Sequence, residues 1–171
     1  MAISETIINS AIYEGSTEYR GIADVTLPDI SQLTAEISGA GISGNYTSSI
    51  IGHIESMKMT FTFRTITDET YKLATPGAHT LDIRVPQQKR STGTGAIGIQ
   101  NIKHTVIASP IKLSLGKIAP ASTADASGEY AVSYFASYVD GVKVLEIDPI
   151  NYIFIMNGVD YLKEVRAALG K

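Results

Sequence analysis

Residues 53–64 read His53-Ile54-Glu55-Ser56-Met57-Lys58-Met59-Thr60-Phe61-Thr62-Phe63-Arg64. Met57, Met59, Phe61 and Phe63 are large and apolar, and Ser56, Lys58, Thr60, Thr62 and Arg64 between them are polar. Side chains of an extended chain alternate between two faces, so a period of two predicts a strand with one face in a core and the other wet. The pattern recurs in residues 79–85, where Leu81, Ile83 and Val85 oppose Thr80, Asp82 and Arg84. It recurs again where Ile111, Leu113 and Leu115 alternate with Lys112, Ser114 and Gly116. In residues 129–139 it places Tyr130, Val132, Tyr134 and Tyr138 on one face, opposite Ser133 and Ser137. One-sided strands of this kind belong to antiparallel sheets.

Turn chemistry separates the strands. Asp140-Gly141, between Val139 and Val142, predicts a two-residue type I′ hairpin. Residues 91–98 and 119–128 are rich in Ser, Thr, Gly and Ala and read as mobile loops. Helix is scarce. Thr67-Asp68-Glu69 is expected to cap a short helix through Leu73, stopped by Pro76 and Gly77. Near the C-terminus, Asp160 is expected as an N-cap, with Leu162, Val165 and Leu169 on one helix face and Gly170 closing it. A helix this short needs a surface to dock against. The expectation is a mainly β chain with little helix, one domain over residues 1–171.

Composition narrows the class. Charged residues make up 18% of 171, against a typical ~25%. With a mean hydropathy of +0.09, this suggests that other subunits cover part of the surface. The absence of cysteine excludes disulfide scaffolds, thiol catalysis and thiolate metal sites. A net charge of −3 leaves no global basic footprint for nucleic acid. Residues 1–10 lack the basic start and apolar run of a secretory signal. The longest apolar run, residues 152–156, is too short to cross a bilayer, so a soluble domain without stable membrane association is expected.

Chemistry-bearing motifs are weak. Gly39-Ala40-Gly41-Ile42-Ser43-Gly44 and Gly93-Thr94-Gly95-Ala96-Ile97-Gly98 both match the glycine fingerprint of dinucleotide-binding folds. That fingerprint needs a helix after it to hold the pyrophosphate. Neither segment precedes helix-forming sequence, so both read as hairpin tips and no cofactor is expected. His53 and Glu55 share a strand face, but two ligands do not make a metal site. Glu146 and Asp148 also share a face and, before Pro149, read as a strand end, not an acid/base pair. The tyrosines at 130, 134 and 138 resemble a base-stacking platform, yet no basic residues accompany them, and core or interface packing is the better reading. No catalytic residue is assigned.

Four segments in order resemble the major tail tube protein of contractile-tailed bacteriophages and of the related R-type tailocin bacteriocins. They are Val25-Thr26-Leu27-Pro28, the glycine tip at 39–44, and Tyr134-Phe135-Ala136-Ser137-Tyr138-Val139-Asp140-Gly141 running on into Leu145-Glu146-Ile147-Asp148-Pro149-Ile150-Asn151. The last is Asn157-Gly158-Val159-Asp160, ahead of the C-terminal helix. The resemblance runs from about Tyr13 to the end. The residues before Tyr13 and the loops at 91–98 and 119–128 carry none of the motifs on which the resemblance rests.

The resemblance implies two packed antiparallel sheets forming a small barrel or sandwich, flanked by a short helix. Long hairpins would join a shared inner β-barrel in a hexameric ring, and rings would stack into a hollow tube inside a contractile sheath. Implied partners are further copies of the chain, the tail sheath protein, the baseplate or tube-initiator and terminator proteins, and, in a phage, DNA passing transiently through the lumen. The implied location is a virion tail or an extracellular bacteriocin particle, assembled in the bacterial cytoplasm. On this reading the hairpin across residues 33–64, with its tip at Gly39, Gly41 and Gly44, supplies two channel strands. Thr34, Glu36 and Ser38 would face the lumen from one strand, and Ser56, Lys58, Thr60 and Thr62 from the other. A second channel hairpin is expected within residues 97–115, where Ile102 and Val106 break the alternation. The related tube protein of type VI secretion systems is an alternative, with the 145–151 and 157–160 segments favouring the phage side. A β-barrel ligand-binding module is an alternative of another class.

Overall fold

The computed structural model describes residues 2–15, 18–21 and 24–171. In chain order the strands are β1 (Ala2–Ile7), β2 (Ala11–Glu14), β3 (Glu18–Gly21), β4 (Asp24–Thr26), β5 (Gln32–Ile37), β6 (Tyr46–Ile54), β7 (Met57–Phe63), β8 (His79–Ser91), β9 (Ile97–Ser114), β10 (Ala126–Val139), β11 (Val142–Asp148), β12 (Ile153–Met156) and β13 (Val159–Asp160). Helix α1 (Asp68–Leu73) lies between β7 and β8, and α2 (Lys163–Leu169) comes last.

All pairings are antiparallel, and β10 organises them. One of its edges carries β9 along nearly its whole length. The other edge is shared: β7 occupies residues 126–132 and β11 residues 135–139. Beyond β9 lies β8, whose far edge is shared by β2 at residues 81–84 and β1 at residues 87–91. Strand β3 extends β2, β4 extends β7, and β12 and β13 extend β11. Strands β5 and β6 pair with each other in a separate two-stranded sheet.

The alternation of residues 57–63 has its expected consequence. Met57, Met59, Phe61 and Phe63 are buried together with Ile12, Leu81, Ile83, Val106, Tyr130, Phe135 and Ile147. Burying each such side chain contributes roughly 1.5–3 kcal/mol. The Tyr130 ring meets Phe61 edge-on, with centroids 5.1 Å apart. Its buried hydroxyl has no hydrogen-bond partner among the described residues, and burial pushes its pKa up to about 12.

The tyrosine stripe is broken. The register of β10 against β9 slips between Val132 and Tyr134, and such a bulge exchanges the faces of all later residues. Phe135 and Ser137 therefore turn inward, and Tyr134 and Tyr138 lie on the face opposite Tyr130. Tyr134 donates to Glu146 at 2.8 Å, and Lys103 and Lys143 sit 4.8 and 5.8 Å from the Tyr138 ring.

The predicted turn at Asp140-Gly141 has positive φ at both residues, 48° and 83°, as type I′ geometry requires. Helix α1 forms where expected, the Thr67 N–H donating to Thr70 Oγ1 at 3.3 Å. Helix α2 begins later than expected, because Asp160 belongs to β13. The Asp160 carboxylate still accepts the Leu162 N–H at 3.1 Å and pairs with Arg166. Of the expected docking face only Leu162 is buried; Val165 and Leu169 are exposed.

Candidate functional site

Two extensions lie outside the packed strands. The first is the β5–β6 hairpin. Its base is closed by the Glu55 N–H donating to Ser31 O at 2.8 Å. Gln32 pairs with Ile54, but Thr34 already pairs with Ser49, so β6 carries extra residues there. Gly52 lies in this bulge with φ +69°, and Leu162, just before α2, packs on its α-carbon. Beyond the bulge, Thr34 stands opposite Ser49 and Glu36 opposite Thr47, giving one polar face. Ala35 and Ser48, then Ile37 and Tyr46, form the other. Gly39, Gly41 and Gly44 all take positive φ at the tip, where non-glycine residues are strained.

The second extension is an arm. The distal parts of β8 and β9 pair from Val85↔Ile102 to Arg90↔Ile97, and β1 lies along the outer edge of β8. The tip is a tight turn, with the Ser91 N–H donating to Ala96 O and the Gly95 N–H to Ser91 O, both at 2.9 Å. Gln88 and Arg90 donate to the Glu5 carboxylate and hold it below the usual range. Ile3 and Ile97 flank Arg90 in one cross-strand row, and Ile99 pairs with Gln88 in the next; all three isoleucines are exposed. The turn at Asp140 braces the base of the arm, its carboxylate accepting the Asn101 N–H at 3.0 Å.

The expected channel residues divide between two sheets. Thr34 and Glu36 share the polar face of the β5–β6 hairpin, and Ser38 is exposed just past the end of β5. Ser56 lies in the two-residue connection after β6. Lys58, Thr60 and Thr62 sit on β7 in the large sheet, paired with Ala131, Glu129 and Ser127 of β10. The partner of β5 is thus β6, not residues 56–64. The cause is the break at Glu55-Ser56, after which the four apolar residues of β7 turn into the core. Thr47 and Ser49 hold the cross-strand positions expected for Ser56, Lys58, Thr60 and Thr62. The aromatic and β-branched residues from Tyr46 to Ile51 are the signal that marked this strand. The second hairpin also differs: residues 97–114 form one strand, and its partner is β8, turning at 92–96.

Both glycine segments sit between antiparallel strands, each followed by a strand instead of the helix that a pyrophosphate would need. His53 is exposed on β6, and Glu55 lies beyond the strand's end. Among the described residues no three potential metal ligands converge. Glu146 accepts from Tyr134 and from Lys143 at 2.9 Å; burial works to raise its pKa, but these bonds lower it. Asp148 is occupied in its turn, accepting the N–H groups of Ile150 and Asn151, both at 3.1 Å.

His79 is fully engaged. Its Nε2 donates to Thr75 O and its Nδ1 meets Glu14 Oε1, both at 2.7 Å. Glu14 also accepts from Arg20, which reaches on to Glu69 of α1. Burial pulls the His79 pKa down, but the Thr75 carbonyl and the Glu14 carboxylate outweigh it and raise the value above 6.5. Burial likewise works to raise Glu14, and the bonds from His79 and Arg20 bring it below the usual carboxylate range. The network ties β2, β3, α1 and the start of β8 together.

Among the described residues, the distinctive surfaces are strand edges without ladder partners and exposed hairpin faces. The family model of the phage tail tube protein FII matches residues 4–170. No curated protein sequence matches the chain.

Proposed function

Because the chain belongs to the phage tail tube protein FII family, a family of structural subunits, we propose that it builds the hollow inner tube of a contractile tail and performs no catalysis. Hexameric rings of the chain stack into a conduit that sheath contraction drives through the target envelope. The observation that carries this reading is the set of strand edges on the β5–β6 hairpin and on the β1–β8–β9 arm that have no ladder partner among the described residues. Exposed edges are an aggregation hazard in a monomer, and pairing with the next subunit removes it. A heterologous contact that closes gives a ring, and repetition along the axis gives a filament.

In this assembly the face carrying Thr34, Glu36, Thr47 and Ser49 lines the lumen, and Ser38 lies near its rim. Lys58, Thr60 and Thr62 belong to the body wall. The lumen face offers hydroxyls and a carboxylate but no cation. Each phosphate neutralised by Lys or Arg adds salt-dependent affinity, so such a wall lets duplex DNA slide. A DNA-free bacteriocin and a type VI-like tube need the same conduit. Tail sheath, baseplate initiator and terminator proteins are the further partners, and the particle assembles in the bacterial cytoplasm.

Negative-stain electron microscopy over a range of concentrations tests the assembly. Hollow rings or stacked tubes with six-fold symmetry are expected. A protein that stays monomeric at every concentration, even when the baseplate of its own tail is supplied to nucleate it, overturns the reading. For the lumen, replacing Thr34, Thr47 and Ser49 together by Arg should slow DNA delivery from assembled particles. Unchanged delivery would remove these residues from the channel wall.

A further inference from the structure

The loop between β9 and β10 is held at its neck and open at its tip. The Lys117 N–H donates to Ala124 O at 2.9 Å, and the Ala124 N–H donates to Arg64 O at 2.8 Å. Gly116, at φ +70°, sits so close to the Ala124 carbonyl that a β-carbon there would lie 1.8 Å from its oxygen. Within the loop Ala121 takes φ +58°, a conformation that costs a non-glycine residue about 1 kcal/mol or more. A clamped neck and a strained tip describe a loop set in one shape. Just beyond the neck, Ile118 is fully exposed. An isolated exposed isoleucine is ordinary; one presented by a pre-shaped loop beside an unpaired cation is less so. Lys117 adjoins it and has no ion-pair partner among the described residues.

A matching recess lies elsewhere on the molecule. Between β4 and the β8–β9 ladder is a groove of about 300 Å³, lined by Val25, Leu27, Ile83, Val85, Ile102 and His104. Asp24, exposed and likewise without an ion-pair partner among the described residues, also lines it. Among the described residues no ladder joins β4 to β2 or β8, and Ile7 and Ser10, at the two ends of the β1–β2 connection, complete the rim of the groove.

We infer that Ile118 of one copy inserts into this groove of the next copy, with Lys117 pairing to Asp24. The inference rests on the proposed tube, and names one contact that holds it together. An apolar knob and a complementary groove at different places on one surface make a heterologous contact, the kind that propagates. Knob and groove match in polarity, and the cation beside the knob matches the anion beside the groove.

The chain has no cysteine, so introduced thiols report alone. Ile118→Cys and Leu27→Cys proteins, prepared separately, are mixed, allowed to assemble and oxidised. A covalent dimer is expected from the mixture and not from either protein oxidised alone, because a disulfide needs β-carbons about 3.5–4.5 Å apart. In parallel, Ile118→Asp should lower tube yield at least ten-fold while leaving the urea midpoint of the monomer unchanged, since the residue is fully exposed in the subunit. Lys117→Glu and Asp24→Lys should each weaken assembly, and the pair combined should restore it. Wild-type tubes with no mixed dimer and full yield from Ile118→Asp would overturn this contact while leaving the tube standing. A wild-type protein that never assembles would overturn the tube itself and this contact with it.

Discussion

Gly52→Ala tests how the C-terminal helix is fastened to the β5–β6 hairpin. Gly52 sits at φ +69°, where a residue with a side chain costs roughly 1–2 kcal/mol. Its new β-carbon would lie 2.4, 2.5 and 2.8 Å from Leu162 Cδ2, Cγ and Cδ1, against carbon–carbon contacts of about 3.5–4.0 Å. Leu162 is only 3% exposed, so its side chain cannot swing out without leaving its site. Overpacking of this kind adds roughly 1–3 kcal/mol, for a total near 2–5 kcal/mol. Leu162→Ala alone should cost about 2–5 kcal/mol through the cavity it leaves. In the double variant the clash disappears and only the backbone strain adds to the cavity. The two losses should therefore sum to about 1–3 kcal/mol more than the double variant loses, which is the size of coupling that neighbouring residues show. Urea unfolding of the monomer at low concentration, with the slope unchanged, measures each corner of the cycle. Losses that add within about 0.5 kcal/mol would refute the contact between Leu162 and Gly52.

Two other outcomes follow from buried polar groups. Tyr130→Phe removes a buried hydroxyl without a partner among the described residues, a group whose burial costs about 1–3 kcal/mol. The variant should be more stable by about 1 kcal/mol, raising Tm by roughly 2–4 °C for a chain of this length; a lower Tm would mean that the hydroxyl is bonded. The Glu14–His79 pair sets a pH window. His79 is raised above 6.5, so its contribution is complete below that value and fades as pH climbs through the raised one. Glu14 is lowered, so its contribution is complete above 4.5 and fades as pH falls through the lowered value. Stability from this pair is therefore greatest between about 4.5 and 6.5. Glu14→Gln should flatten the fall in urea midpoint above pH 6.5, and equal slopes in both proteins would contradict this.

The core strands could be read directly from the sequence because burial imposes a period of two. Met57 to Phe63 and Leu81 to Ile83 needed only that rule. The tyrosine stripe failed because a bulge at Ser133 adds one residue and reverses every face after it, and nothing in Val132-Ser133-Tyr134 announces the insertion. Strand pairing was harder still. Whether β5 pairs with β6 or β7 depends on the break at residues 55–56; the adjacent polar pair Glu55-Ser56 interrupts the alternation, but a phase break alone does not say which of the two flanking strands pairs with β5. Leu162, Val165 and Leu169 illustrate the reverse problem. Their spacing marks a helix face, yet the surface beneath reaches only the first of them. The glycine tip was legible as a turn because positive φ restricts the choice of residue, but the sequence could not say which strands it joined.

Strand β9 keeps one register against β8 from the arm tip at Ile97 to the floor of the core at Ala108, and a bulge at Ile111 comes only beyond that, before the strand ends at Ser114. It is laddered to β8 on one edge as far as Ala108 and to β10 on the other from Ile102 onward, so both ladders grip it over residues 102–108. An axial push on the arm is therefore carried into the body as tension and compression along one covalent strut, with no hinge in between. To yield, the strut would have to slide lengthwise against two ladders at once, breaking their hydrogen bonds together instead of peeling them one by one. The subunit should thus resist force far better along β9 than across it.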